Sequence, residues 1–440
     1  MNRNQHRPRS DNKGLAARRL ALATLQSVFF NERPLGEALD AAPRSNIEPR
    51  DVGFARAIAM TVLRRFGQID AVLATFLRDP LPGRAGPAEI ILRMAAAEML
   101  FLNVAPHASV SSAVDLAGAD GRARHFKGLI NAVARKMATE GAAALATLDA
   151  ERLNTPPWAW DAWAASYGDE TARAIAHAHL IEPPLDVTVK SDAAEWATRL
   201  EAELLPTGTL RRASGGRIED LPGYAEGAWW IQDAGSTLPV RILGDVRGRS
   251  VIDLCAAPGG KTAQLAAAGA NVTAVDHAAE RLDCLRQNVK RLKLTVNAVT
   301  ADVAEWTPAT PADAVLLDAP CTATGTARRH PDVLWRKDAS DVLAQMQIQA
   351  RLLNAAAAMV KPGGTLIYCV CSLMPEEGEG IVDPFLQTNA TFERVPISAA
   401  ELGGEAQFIT AKGDLRTLPC HWPERGGIDG FYAARLRRKA

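Results

Sequence analysis

The chain has 440 residues, 48% of them hydrophobic, enough for two or three cores rather than one. Its 50 basic and 50 acidic residues cancel, which excludes a global field as the means of holding a polyanion and leaves that task to local patches. The six cysteines (255, 284, 321, 369, 371, 420) include only one close pair, a C-x-C without a neighbouring His, so neither a disulfide framework nor a structural zinc is expected, and no metal site.

The first 14 residues, "MNRNQHRPRSDNKG", form a polar basic tail without the apolar stretch of a secretory signal, and no run of about 18 apolar residues occurs anywhere. A cytoplasmic protein that avoids membranes is expected, as a monomer. Over 15–145 apolar residues recur at helical spacing, with Leu20, Leu25, Val28 and Phe29 in one segment and Ile58, Val62, Phe66, Ile69, Val72 and Phe76 in the next. A helical bundle follows, broken at "NERP" (31–34), "RDPLPGRAGP" (78–87), "NVAPH" (103–107) and "GADGRARH" (118–125). Arg122, Arg124, His125, Lys127, Arg135 and Lys136 fit either a patch facing RNA or an ordinary solvated helix face.

Residues 146–245 have another texture: six of the nine tryptophans (158, 160, 163, 196, 229, 230) and short alternating runs such as "LDVTVKS". A small α+β linker domain fits, its tryptophans serving as core more readily than as stacking platforms for bases.

From 246 to 440 strand, loop and helix alternate. "SVIDL", "NVTAVD", "VNAVTAD", "DAVLLDAP" and "GTLIYCVC" read as strands, with "AQLAAAG", "ERLDCLRQNVKRLK" and a long segment over 340–360 as helices. This is the pattern of a doubly wound, Rossmann-like parallel sheet, whose ligands bind at the carboxyl ends of the strands.

The loop after the first strand, "CAAPGGKT", ends like a phosphate-binding loop at Gly260, Lys261 and Thr262, but Cys255 stands where the first glycine belongs. Nor does it carry the early glycines that a dinucleotide pyrophosphate requires. A cofactor without phosphate, S-adenosyl-L-methionine, fits the loop, and carboxylates recur at successive strand ends: Asp276 for a ribose diol, Asp302 for an adenine amino group, Asp318 toward the substrate. Each alone could be a helix cap; three along one sheet edge read as a site.

Cys321 follows the fourth strand and Cys371 ends the fifth. Adjacent strands lie ~4.8 Å apart, so both thiols reach one pocket although 50 positions separate them. Alternation sends Cys369 and Cys371 to the same face, and Cys371 lies nearer the carboxyl end; Cys369 is expected to be a small buried hydrophobe.

"LCAAPGGKT", "DAPCTATG…RRHPD" and "YCVCS" together resemble the signature of the Sun/NOL/NOP family of RNA 5-methylcytosine methyltransferases. "HASVSSAVDLA…HFKGLINAVARKM" is similar to the NusB-like pattern of its ribosomal RNA branch, and "DGFYAARLRRK" resembles the family's closing strand. The resemblance implies an all-α NusB-like RNA-binding domain, a linker domain that binds RNA, and a class I methyltransferase domain. It also implies that Cys371 attacks carbon 6 of cytosine, that Cys321 serves release, and that Asp318 holds the nitrogen edge of the base while Lys261 orients it. Cys255, Ala256, Ala257, Pro258, Gly259, Gly260 and Lys261, with Asp276, Asp302 and Asp318, would line the cofactor. Thr188 and Lys190 stand where many members have an Arg and an Asn, a departure that bears on how the linker contacts RNA and not on catalysis. A transfer RNA substrate would use the same catalytic residues, and a catalytically dead ribosome-assembly factor would not need them.

Overall fold

The computed structural model describes residues 12–43, 47–213 and 215–440, so most of the expected basic tail lies outside the described residues. The chain forms two compact units, Met1–Trp160 with His330–Arg336, and Asp161–Arg329 with Lys337–Ala440.

The first unit is helical: α1 (Asn12–Asn31), α2 (Leu35–Ala41), α3 (Pro49–Arg64), α4 (Phe66–Phe76), α5 (Ala88–Leu100), α6 (Pro106–Ala119), α7 (Lys127–Ala146) and α8 (Ala150–Leu153). The breaks fall where turn formers gather, and Pro49 and Pro106 occupy first turns, where a missing N–H leaves no bond unmade. Leu20, Leu25, Val28, Ile58, Val62, Ile69 and Val72 are all buried, as their spacing predicts. The central helix α5 is apolar on nearly every side, burying Ile90, Ile91, Leu92, Met94 and three successive alanines. Its one buried acid, Glu98, is gripped bidentately by Arg18 at 2.8 and 2.6 Å and accepts the Ser109 hydroxyl at 2.8 Å. Losing either charged partner would strand the other in the core.

Helix α9 (Pro157–Tyr167) leads into the second unit, followed by α10 (Asp169–His179). Next come β1 (Leu185–Val189), α11 (Ala193–Arg199), β2 (Glu203–Leu204), β3 (Leu210–Arg212) and β4 (Trp229–Ile231), whose strands form an antiparallel sheet in the order β2-β3-β1-β4. Trp163, Trp229 and Trp230 are buried, which bears out the core reading of those three. The remainder is α12 (Ala234–Arg241), β5 (Ser250–Leu254), α13 (Gly260–Ala267), β6 (Asn271–Asp276), α14 (Ala279–Arg291), β7 (Asn297–Thr300), β8 (Ala312–Asp318), α15 (Val333–Arg336), α16 (Ala339–Ala358), β9 (Val360–Val370), α17 (Glu379–Thr388), β10 (Phe392–Arg394), β11 (Leu415–Thr417) and β12 (Phe431–Arg438).

The large sheet runs β10-β12-β9-β8-β5-β6-β7, with β11 beside β12. Five strands are parallel, as expected; β10, β11 and β12 are antiparallel additions at one edge, so the sheet is mixed. Alternation sorts the residues into two cores: Val315, Leu317, Tyr368 and Val370 pack on the side of α16 and α17, while Ala314, Leu316, Ile367 and Cys369 pack on the side of α12 and α13. A buried charge cluster then fastens the small sheet to the large one. Arg211 pairs with Asp186 through two 2.7 Å bonds, Arg329 reaches Asp233 at 2.6 Å, and Arg328 lies 3.3 Å from Asp429.

Residues 330–336 leave the second unit and pack into the first. Trp335 stacks obliquely on Phe66 with ring centres 4.6 Å apart and donates its indole N–H to the Leu63 carbonyl at 2.9 Å. Asp332 accepts the Leu35 amide at 3.1 Å, and Arg336 donates to the Glu32 carbonyl at 2.8 Å.

Candidate active site

The site lies at the carboxyl ends of β5, β6, β8 and β9. After β5 the chain turns sharply through Cys255, which has a left-handed φ of 57°, and Gly259, with φ of 102°, before α13 begins. A Cβ on Gly259 would lie 2.8 Å from Leu285, so glycine is required there for close packing as well as for φ. The Ala257 carbonyl accepts from Arg281 at 2.6 Å and the Pro258 carbonyl from Asn288 at 3.2 Å. Gly260 is different: a Cβ there would meet nothing nearer than Gln232 at 3.8 Å, which leaves room over the first turn of α13.

Asp276, the last residue of β6, is fully buried, and its oxygens accept the main-chain N–H groups of Ala257 at 3.1 Å and Ala278 at 3.0 Å. It therefore braces the loop of residues 255–259. Asp302 is partly exposed, accepts the Ala304 amide at 2.9 Å and lies 3.6 Å from Arg351. Asp318, which ends β8, shows about a third of its side chain to solvent and pairs with Lys261 at 2.8 Å. Burial opposes the charge of Lys261, but the Asp318 carboxylate outweighs it and holds the lysine above its ordinary pKa. The ammonium also sits 4.9 Å from the Phe431 ring centre.

Beyond the strand ends the Cys321 and Cys371 sulfurs lie 3.4 Å apart. The two thiols meet as their places on adjacent strands predict. The hydrogen bond to Cys371, together with burial, pushes the Cys321 thiol well above its usual pKa, and either sulfur can serve as donor in their contact. Cys369 is wholly buried in the α12 and α13 core, but it is more than filler: its thiol donates to Asp318 at 3.4 Å.

Other functional groups here gave little sign of themselves in sequence. Asp253, in β5 beneath the loop, accepts the Thr262 hydroxyl at 2.5 Å, and burial raises its pKa to about 7. Its position two residues before Cys255 was the available signal. Glu377 sits fully buried among Thr322, Ser372 and Gln349, within an acidic run that reads as solvated. Lys190 donates to the Leu292 carbonyl at 3.0 Å, so its partly buried ammonium is engaged by the protein's own main chain. The six basic residues from Arg122 to Lys136 are exposed, and none forms an ion pair with a carboxylate among the described residues.

The donor set suits the cofactor expected from the loop. Carboxylates dominate the sheet edge and Lys261, the buried cation at the start of α13, is already neutralised by Asp318, an arrangement that favours a sulfonium and disfavours a phosphate. Among the described residues no group of acidic, His and Cys side chains could hold a metal, and no helix is long and apolar enough to cross a membrane.

Residues 240–437 match the 16S rRNA methyltransferase RsmB/F family, and residues 15–139 match the NusB family. The ribosomal RNA small subunit methyltransferase B of Xanthomonas campestris pv. campestris is 35% identical, over 96% of this chain and 97% of its own length. The protein of that description from Vibrio cholerae is 32% identical over the same shares. The crystal structure of PH0851 superposes with a TM-score of 0.77 at 23% identity, covering 99% of this chain and 100% of the other. A methyltransferase homolog from Pyrococcus horikoshii reaches 0.53 at 27% identity over 63% of this chain and 93% of its own. Similarity that runs through both units, at a third of positions in the nearest of these relatives, leaves one conclusion: the chain belongs to the ribosomal RNA small subunit methyltransferase B family of S-adenosylmethionine-dependent RNA methyltransferases.

Proposed function

We propose that this enzyme methylates carbon 5 of a cytosine in small-subunit ribosomal RNA, with Cys371 as nucleophile and Cys321 as the group required for release. The observation that carries the reading is the pair of sulfurs 3.4 Å apart beside the Lys261–Asp318 ion pair. Carbon 5 of cytosine is a poor nucleophile until a thiolate adds to carbon 6. Addition of the Cys371 thiolate to carbon 6 breaks the carbon 5–carbon 6 π bond and moves its electron pair to carbon 5, which can then take up the methyl group. Loss of the carbon 5 proton and cleavage of the Sγ–carbon 6 bond return the pair to Cys371 and restore the aromatic ring. Asp318, oriented by Lys261 and Cys369, stabilises the activated ring along its nitrogen edge.

S-adenosylmethionine supplies the methyl group on a sulfonium. The Cys255–Lys261 loop and the carboxylates Asp276, Asp302 and Asp318 are the residues that would hold it, with Asp276 bracing the loop from below. The exposed basic residues on and before α7 support a role for the helical unit in RNA contact. The enzyme acts as a monomer, and its ribosomal RNA substrate is a cytoplasmic one. Bisulfite mapping of ribosomal and transfer RNA from cells with and without the gene tests the reading. One cytosine of the small-subunit RNA should lose its mark; a mark lost only from transfer RNA would move the substrate there, and no loss anywhere would sink the proposal.

A further inference from the structure

Each sulfur of the reactive pair is followed in sequence by a hydroxyl residue, Thr322 after Cys321 and Ser372 after Cys371, and both hydroxyls are buried against one carboxylate. That carboxylate is Glu377, fully buried in the short turn between β9 and α17. One of its oxygens accepts the Thr322 amide at 2.9 Å and Gln349 Nε2 at 2.9 Å; the other accepts the Thr322 hydroxyl at 2.5 Å and the Ser372 hydroxyl. A carboxylate has about four lone-pair positions and no donor, so four donors fill it. Gln349, from α16, also donates to the Pro320 carbonyl at 2.9 Å, which ties the residue before Cys321 into the same network. The Tyr368 hydroxyl donates to the Glu377 carbonyl at 2.7 Å and fixes the main chain that carries the acid.

We infer that Glu377 is a positioning residue that sets the spacing of Cys321 and Cys371 by clamping the residues that follow them. The strands alone do not set it, because both sulfurs lie beyond the last paired residues of β8 and β9, Asp318 and Val370. Gly325 closes the other side of the loop, donating its amide to the Cys371 carbonyl at 2.9 Å, but it reaches main chain only. The Glu377 carboxylate binds directly to the neighbours of both thiols. Its consequence for catalysis rests on the function proposed above; its consequence for geometry does not.

The test compares full-length wild type, Glu377→Ala and Glu377→Gln by two readouts. The first is the rate at which diamide joins Cys321 to Cys371, followed by peptide mapping: one S–S bond forms, and the oxidant takes the two electrons and two protons to become a hydrazine. The second is methyl transfer to RNA, with the cofactor dissociation constant measured separately. Glu377→Ala should slow the cross-link and lower kcat by about a hundredfold, the effect of misplacing reacting groups by an ångström, with cofactor affinity nearly unchanged. Glu377→Gln should restore most of both, because its amide can accept from Thr322 N–H and Gln349 while the two hydroxyls turn to accept from its NH₂. Should Glu377→Ala not fold, Ser372→Ala cuts the Cys371 arm alone and should still slow the cross-link. A wild-type cross-linking rate in a folded Glu377→Ala, or in Ser372→Ala, overturns the clamp. If the cross-link slows as expected but the wild type transfers no methyl group to RNA, the clamp stands and the proposed chemistry fails.

Discussion

The Cys369 thiol donates to one oxygen of Asp318 at 3.4 Å, while Lys261 takes the other at 2.8 Å. The two residues are lateral partners in the parallel pairing of β8 and β9, so their side chains leave the sheet on the same face. A residue that reads as a small hydrophobe is thus half of the support for the acid beside the Cys321–Cys371 pair. Cys369→Ala should lower kcat about fivefold, the worth of one modest hydrogen bond, and leave the cofactor constant unchanged. Cys369→Ser keeps a donor and should recover most of the loss. Steady-state kinetics showing the Ala variant equal to wild type would remove Cys369 from the site.

Asp318→Asn keeps the shape but takes the counterion from Lys261, whose ammonium is buried. Turnover should fall by several hundredfold, on the order of the loss when a preorganised electrostatic contact is removed. The unfolding midpoint should fall too, because the lysine is left charged without its partner. Near-normal turnover with only an altered cofactor constant would make Asp318 a cofactor residue.

Cys371→Ala should abolish both methyl transfer and any covalent adduct. Cys321→Ala still permits attack and methylation but not release, so the enzyme should accumulate on methylated RNA as a complex that survives denaturing electrophoresis. The double variant should lose that band. A band in Cys371→Ala and none in Cys321→Ala would exchange the two roles.

Asp253 gives a pH dependence whose sign can be worked out. Burial raises its folded pKa to about 7, against an ordinary carboxyl value of 3.8, so the folded state holds this proton where the unfolded chain has lost it. Stability from this group is complete below pH ~4 and is lost as pH rises toward 7. Asp253→Asn does not titrate and can still accept the Thr262 hydroxyl. Its stability relative to wild type should therefore climb between pH 5 and pH 8, by roughly 2–3 kcal/mol. Denaturant melts of the two proteins that stay parallel across that range would refute the shift.

Much of this architecture could be read from periodicity. Leu20, Leu25 and Val28 announce a helix face, and the alternation in "DAVLLD" and "TLIYCV" both predicts two strands and assigns their faces. The meeting of Cys321 and Cys371 followed from their places at adjacent strand ends. What stayed hidden depends on contacts without a local pattern. Glu377 stands in "PEEGEG", which looks solvated; it is buried only because donors converge on it from α16 and from the loops after β8 and β9. Asp276 reads as a ligand-facing acid, and no local pattern foretells that the tight turn after β5 also brings the Ala257 amide to it. The antiparallel placement of β12 beside β9 likewise depends on a pairing more than sixty residues apart, to which neither strand's own pattern points.

The excursion of residues 330–336 into the helical unit bears on how the protein is made. Synthesis runs from the N-terminus, and domains ordinarily fold as they emerge. Here the helical unit cannot complete its packing around Phe66 and Leu63 until Trp335 has left the ribosome, long after Trp160. A nascent chain halted near residue 160 should hold a looser bundle, open to protease, that tightens only when translation passes residue 336. Neither unit is a contiguous gene fragment, so the order in which the ribosome delivers the chain obliges the two halves of this enzyme to mature together.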